Sequence, residues 1–91
     1  MITTLEEAKL FLRIDHSGED TLITDLLNTS ENLCMNIIRF EFSELDKIPE
    51  TLKTAVLYGV TYLYENREKA DYKELITTLS YLLFGIRKEI F

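Results

Sequence analysis

The sequence has few of the residues that form disulfides, interrupt helices and strands, or bind metal ions. Of its 91 residues one is cysteine, one is histidine, one is proline and three are glycine, and tryptophan is absent. A single cysteine excludes a disulfide within the chain, and the scarcity of glycine and proline excludes a linker-rich or low-complexity chain. Apolar residues make up 46% of the sequence, which predicts one small globular core.

Long apolar runs and an excess of positive charge are also missing. No run approaches the roughly 20 apolar residues that span a bilayer, and Glu6, Glu7 and Lys9 interrupt any signal-like segment. We therefore expect an intracellular protein with no membrane partner. The formal net charge of −6 argues against a protein that grips nucleic acid by its phosphates. It is compatible with a protein past which DNA slides.

Residues that could carry catalysis or bind a metal do not form a recognisable pattern. Cys34 lies within an apolar stripe and is interpreted as a small buried hydrophobe, whereas His16 lies in a polar turn, so no nucleophile and base are paired. Asp15, His16, Glu19 and Asp20 could be read as a metal site, but their spacing fits no zinc or calcium motif. Turn formation and helix capping explain them better. We expect no catalytic residue, no cofactor and no metal.

The segment 48–68 contains the only proline and the longest helical pattern. Pro49 suits the first turn of a helix, and apolar residues follow on more than one side, which indicates burial on more than one side. This predicts a central helix, Pro49–Glu65. Gly59 lies within it, where glycine costs about 1 kcal/mol relative to alanine, so we expect another helix to pass close by. Separately, Ser30 falls inside the apolar stripe of the helix before it, where a small residue also lets another helix approach closely.

Three further helical patterns surround this one. A capping box, Thr4 to Glu7 or one residue earlier, opens a helix with Phe11 inward that ends near Leu12 or Arg13. The other two helices are expected at about Glu19–Arg39, capped by Ser17 or Asp20, and at about Tyr72–Leu83, with Ile76 inward and Gly85 as its stop. Asn66, which can adopt the left-handed conformation that terminates helices, follows the expected end of the central helix. The sequence therefore predicts an all-α single domain, residues 1–91, a small bundle of about four helices.

Two sets of residues are candidates for contacts with other proteins. Glu41, Glu44 and Asp46 form an acidic cluster in the loop before the central helix. The tyrosines of the central helix belong either to the core and its rim or to a subunit interface, where tyrosine is enriched. The apolar C-terminal segment docks on its own core or on a neighbouring subunit. The candidate interface residues are Tyr58, Tyr62, Tyr64, Arg67, Phe84, Ile86, Arg87, Ile90 and Phe91.

Three segments, in order and covering nearly the whole chain, resemble the small head–tail connector proteins of tailed bacteriophages, also known as head-completion or DNA-packaging adaptor proteins. Leu5–Lys9 and Leu12–His16 lead into Glu19–Ile23, the second segment is Ile48–Leu57 followed by Tyr64–Glu68, and the third is Leu82–Arg87. Members often carry a proline or glycine break before the final leucines, and this sequence has none there. The path of residues 72–91 is therefore left open.

The resemblance implies an all-α structural protein that is not an enzyme. About a dozen subunits would form a ring beneath the portal protein of the filled head, extend the DNA channel and offer a docking surface to the next neck or tail component. Assembly would take place in the bacterial cytoplasm, and the ring would lie in the virion neck. We hypothesise that Glu41, Glu44 and Asp46 face the channel or the portal. The alternative is a small acidic helical adaptor or regulatory protein that binds a single protein partner.

Overall fold

The computed structural model describes residues 2–39 and 41–90, with side chains as far as Gly85. Over these residues it has four α-helices and no strand, which confirms the prediction of an all-α fold. A short 3₁₀ helix, Phe42–Glu44, lies between the second and third of them. The helices are α1 Leu5–Leu12, α2 Asp20–Ile38, α3 Glu50–Glu65 and α4 Tyr72–Ile90.

The bundle is built on a close contact between α2 and α3. Ser30 and Gly59 are both buried there, and the Ser30 hydroxyl donates a hydrogen bond to the carbonyl of Val56 at 2.7 Å. A Cβ atom at Gly59 would lie 2.1 Å from Ser30 Oγ, which is far inside van der Waals contact. The prediction that Gly59 permits the close passage of another helix is therefore confirmed.

All four helices contribute to one core, and among the described side chains α3 contributes more buried apolar residues than any other helix, as expected of a central helix. It begins one residue later than predicted, because Pro49 precedes it and accepts the first intrahelical bonds, from the amides of Leu52 and Lys53. The buried apolar side chains are Ala8, Ile23, Leu27, Cys34, Ile38, Phe42, Leu52, Ala55, Val56, Val60, Leu63, Leu75, Leu79 and Leu83.

The two remaining helices lie on opposite flanks of α3. Lys53 Nζ forms an ion pair with Glu7 of α1 at 3.1 Å. The Tyr62 hydroxyl accepts a hydrogen bond from the backbone amide of Asp71, just before α4, at 3.0 Å. Lys53 and Tyr62 are about two and a half helical turns apart, so their side chains leave α3 in opposite directions. The molecule therefore has α1 and α4 as its outer helices.

Residues at three helix ends differ from the sequence prediction, although α3 ends at Glu65 as predicted. Gly85 does not stop α4, which continues to Ile90, because no glycine of the described residues adopts a positive φ. Asn66 also stays outside the left-handed region, with φ −120°, and its side-chain amide bonds the Tyr62 carbonyl at 2.9 Å. Neither Ser17 nor Asp20 caps α2: Glu19 precedes its first residue without a side-chain cap.

Two inward assignments were wrong as well. Phe11 of α1 is 51% exposed and Ile76 of α4 is 40% exposed. Both lie at the edge of an apolar stripe, where the helical period does not decide between the core and the solvent. The start of α1 is as predicted, since Thr4 and Glu7 form both hydrogen bonds of a capping box.

We predict that Gly59→Ala lowers the free energy of unfolding. The added methyl would lie 2.1 Å from Ser30 Oγ. Overpacking costs about 1–3 kcal/mol, and a contact this short places the cost towards the upper end, above the roughly 1 kcal/mol that alanine gains by helix propensity. The hydroxyl could turn away only by giving up its bond to Val56. Chemical denaturation of the variant measures the loss.

The matched control is Gly85→Ala, because Gly85 is also helical and a Cβ there has no neighbour within 4 Å. This change should raise the free energy of unfolding by up to about 1 kcal/mol. Adding Ser30→Ala to Gly59→Ala should restore part of the loss, which a double-mutant cycle detects as non-additivity. Equal stability of Gly59→Ala and the parent chain would show that α2 and α3 do not approach this closely.

Candidate interface surfaces

A polar cluster joins the start of α2 to the end of α3. Glu19 Oε1 accepts a hydrogen bond from the Tyr64 hydroxyl at 2.5 Å, and Glu19 Oε2 accepts one from Arg67 at 2.9 Å. The Arg67 guanidinium also lies over the Tyr64 ring, 4.6 Å from its centroid. Tyr64 and Arg67, two of the candidate interface residues, are therefore engaged within their own chain.

The contacts of this cluster shift the pKa of two of its members. The hydrogen bond from Tyr64, with a further contribution from Arg67, holds the pKa of Glu19 below its usual value. The same bond to Glu19 raises the pKa of Tyr64. Both shifts favour an ionised Glu19 carboxylate beside a neutral Tyr64 phenol. At neutral pH the cluster therefore holds the start of α2 against the end of α3.

The tyrosines of the central helix do not form one surface. Tyr62 is half-buried, and its hydroxyl bonds both the amide and the carbonyl of Asp71. Tyr64 is half-buried against Glu19. Tyr58 is 38% exposed, and it is the member of the group that shows most surface to solvent.

The outer face of α4 carries a second apolar stripe, opposite the leucines that enter the core. Tyr81 is 80% exposed and Phe84 is 66% exposed, and Tyr72 and Ile76 continue the stripe towards the start of the helix. We call this surface the α4 outer face. It encloses a shallow groove of about 320 Å³, lined by Ile76, Thr77, Ser80, Tyr81 and Phe84.

A smaller apolar patch lies on α1. Leu10 is 80% exposed, and Phe11 beside it is 51% exposed. Glu6, which is also exposed, lies one turn before Leu10 on the same side of the helix. We call these three residues the α1 patch. The helical spacing assigns Phe11 to the core, so the sequence does not predict this patch.

The acidic cluster lies in the connection between α2 and α3. Glu41, Glu44 and Asp46 are all exposed, and the buried ring of Phe42 fixes this connection to the core. The structure describes side chains only as far as Gly85, so those of Ile86, Arg87 and Ile90 are not included, and Phe91 lies outside the described residues. Their place in an interface stays a prediction.

One buried charged residue was missed. Glu31 is 4% exposed, and its Oε2 accepts hydrogen bonds from the backbone amides of Ile2 and Thr3 at 2.9 and 3.2 Å. A glutamate is normally assigned to solvent. The helical spacing does indicate its burial, because Glu31 is four residues after Leu27 and three before Cys34, on the inward side of α2.

Among the described residues no group of three or more histidines, cysteines and carboxylates is placed to hold a metal ion. Burial raises the pKa of the Cys34 thiol to about 12, so the reactive thiolate is scarce at neutral pH. None of the helices described is both long enough and apolar enough to cross a membrane.

We predict that Glu19→Gln weakens the dependence of stability on acid pH. Because the folded chain lowers the pKa of Glu19, the unfolded state binds more protons as pH falls through and below the usual value of 4.5. The stabilisation is therefore present above that pH and lost below it. Urea midpoints measured from neutral to strongly acid pH should fall less steeply in the variant.

The control is Glu65→Gln on the exposed surface of α3, since Glu65 forms no ion pair with the described side chains. Its acid limb should follow that of the parent chain. Some acid sensitivity should remain in Glu19→Gln, because Thr4 and Lys53 also lower the pKa of Glu7. Identical acid limbs for Glu19→Gln and the parent chain would refute the assigned role of the cluster.

The comparison with protein families agrees with the fold. A family model described as "Phage gp6-like head-tail connector protein" matches residues 2–91. No significant match was found among curated proteins or among solved structures. The family match covers essentially the whole chain and confirms the resemblance that the three sequence segments indicated. The chain therefore belongs to the phage gp6-like head-tail connector family.

Proposed function

We propose that this chain is a structural subunit of a closed ring that docks on the portal protein of the filled phage head. The ring extends the DNA channel and presents a docking surface to the next neck or tail component. It assembles in the bacterial cytoplasm and remains in the virion neck. Membership of a head-tail connector family supports the general role, and the α4 outer face supports the assembly of several copies.

The α4 outer face is the observation that carries this proposal. Two aromatic side chains, Tyr81 and Phe84, are more than half exposed on a single helix, and contiguous exposed apolar patches commonly mark interaction sites. Burial of such surface contributes roughly 25 cal/mol per Å². A sister subunit that covers this face would therefore stabilise both itself and its neighbour.

The predicted interface set divides according to its surroundings in the structure. The exposure of Phe84 and Tyr58 supports a direct contact with another protein. Three other members make contacts within the chain: Tyr62 bonds Asp71, and both Tyr64 and Arg67 bond Glu19. These contacts support an indirect role, in which the three residues fix the end of α3 relative to α2 and α4. We propose that the remaining members continue the interface beyond Phe84: Ile86, Arg87, Ile90 and Phe91.

Charge supports the passage of DNA without binding. The net charge is −6, and Glu41, Glu44 and Asp46 add a local group of exposed carboxylates. Carboxylates that line a channel repel the phosphates of DNA, so that the duplex is not retained by the wall. We propose that this cluster faces the channel or the portal.

Electron microscopy of the concentrated full-length chain, with and without the portal protein, tests the ring. We expect closed rings of about a dozen subunits, with one sense of contact repeated around the circle. Native mass measurement on the same samples gives the number of copies. A chain that stays monomeric or dimeric when bound to its partner would favour the alternative, a small adaptor that binds a single protein.

We predict that reversing the charge of the acidic cluster impairs packaged particles without unfolding the chain. The variant is Glu41→Lys, Glu44→Lys and Asp46→Lys. All three residues are exposed, so the thermal midpoint should change little. If the cluster faces the portal, lysines would disrupt a contact made by carboxylates, so docking of the ring and with it the retention of DNA in the head should fall. If it faces the channel, lysines would bind the phosphates and hinder the passage of DNA. Infectious titre and the fraction of DNA-filled heads measure the effect.

The matched control changes Asp25, Glu65 and Glu68 to lysine, three exposed acidic residues elsewhere on the chain. It has the same net charge as the cluster variant, so a general effect of charge would appear in both. Fully infectious particles from the cluster variant would remove the cluster from the channel and the portal. Equal losses in the two variants would attribute the effect to net charge alone.

A further inference from the structure

Apart from Tyr58 of α3, the large exposed apolar side chains of the described residues lie on the two outer helices. The α4 outer face has a groove, and the α1 patch has two projecting side chains, Leu10 and Phe11. The contacts of Lys53 and Tyr62 place α1 and α4 on opposite flanks of α3. One copy of the chain cannot bring these two surfaces together, but two copies side by side can.

An exposed carboxylate belongs to the α1 patch, and an exposed ammonium group lies beside the α4 outer face. Glu6 on α1 is exposed, and so is Lys73, one turn before Thr77 on the α4 outer face. Neither of them forms an ion pair with the described side chains, whereas Glu7 and Lys9 nearby are paired within the chain. A carboxylate at one surface and an ammonium group at the other would favour their association and fix its orientation.

We infer that the α1 patch of one copy packs into the groove of the α4 outer face of the next copy. This inference rests on the proposed function and names the surfaces that the ring would use. The contact joins two different surfaces, so it repeats from copy to copy and closes into a ring when the rotation permits. Leu10 and Phe11 fill the groove beside Tyr81 and Phe84, and Glu6 approaches Lys73.

A symmetric contact between two α4 outer faces would use the same groove in a different way. It would leave Leu10 and Phe11 exposed in every copy, and it would end at a dimer, because both partners use the same patch. The head-to-tail arrangement covers both apolar surfaces of each copy. It is therefore the arrangement that the two patches together favour.

Disulfide cross-linking of the full-length chain tests this contact directly. The native Cys34 is buried, with a pKa of about 12, so it should give no background. We compare Leu10→Cys, Tyr81→Cys and the chain that carries both changes, each concentrated, oxidised and run on a non-reducing gel. The double variant should form a ladder of multimers, and each single variant should stay monomeric.

Mixing the two single variants should give dimers and nothing larger, because each chain then has one reactive end. A control chain pairs Leu10→Cys with Asn28→Cys, which lies on the exposed side of α2, and it should form no ladder. Adding Lys73→Glu to the double variant should reduce the ladder, and adding Glu6→Lys as well should restore it. Circular dichroism checks that each variant is folded.

Three results would overturn the inference. Dimers from Tyr81→Cys alone would show a symmetric α4 contact, and an absent ladder in a sample that light scattering shows to be multimeric would show that the ring uses other surfaces. A chain that gives no ladder and stays monomeric at every concentration would show that the contact does not form. A ladder together with phage necks that lack the protein would refute the proposed function and leave the contact standing.

Discussion

The close contact between Ser30 and Gly59 is the constraint on which the rest of the bundle depends. It lets α2 and α3 run side by side at a separation that a larger residue would prevent, and the Ser30 hydroxyl bonds the backbone of α3 at that point. The two helices then form a single unit with two flanks. The first flank holds α1 and the second holds α4, so the outer helices are separated by the pair they pack against.

The helical period and the capping residues predicted most of this architecture. The four helices, the capping box at Thr4, the burial of Cys34 and the close approach at Gly59 all follow from spacing and residue size. The end of α4 did not follow. Glycine ends a helix when it adopts the left-handed conformation, but Gly85 keeps a helical one, and the sequence does not reveal which of the two a given glycine adopts.

The sequence does not show which of the apolar residues of α4 face the core and which face solvent. Ile76 and Leu79 are both large and aliphatic, yet one is 40% exposed and the other is fully buried. A helix that is apolar on two sides offers two choices of inward face, and packing against α2 and α3 decides between them. The same limit hid the α1 patch. Exposed apolar residues on such a helix cannot be told from core residues until the packing of the core is known.

Family membership and geometry contribute different parts of the functional argument. The family supplies the role of a head-tail connector. The geometry adds that Glu19, Tyr64 and Arg67 bond one another within the chain, while the apolar side chains of the α4 outer face are exposed. The polar contacts that stabilise the subunit and the exposed apolar side chains thus lie on separate parts of the molecule.

The buried carboxylate of Glu31 has a consequence for how this protein can diverge. It holds the segment before α1 through the main-chain amides of Ile2 and Thr3, and amides are present whatever side chains those positions carry, proline excepted. The position of α1 therefore does not depend on which side chains α1 exposes to solvent. Substitutions on the outward side of α1 can thus change the surface that the helix shows while the helix itself stays in place.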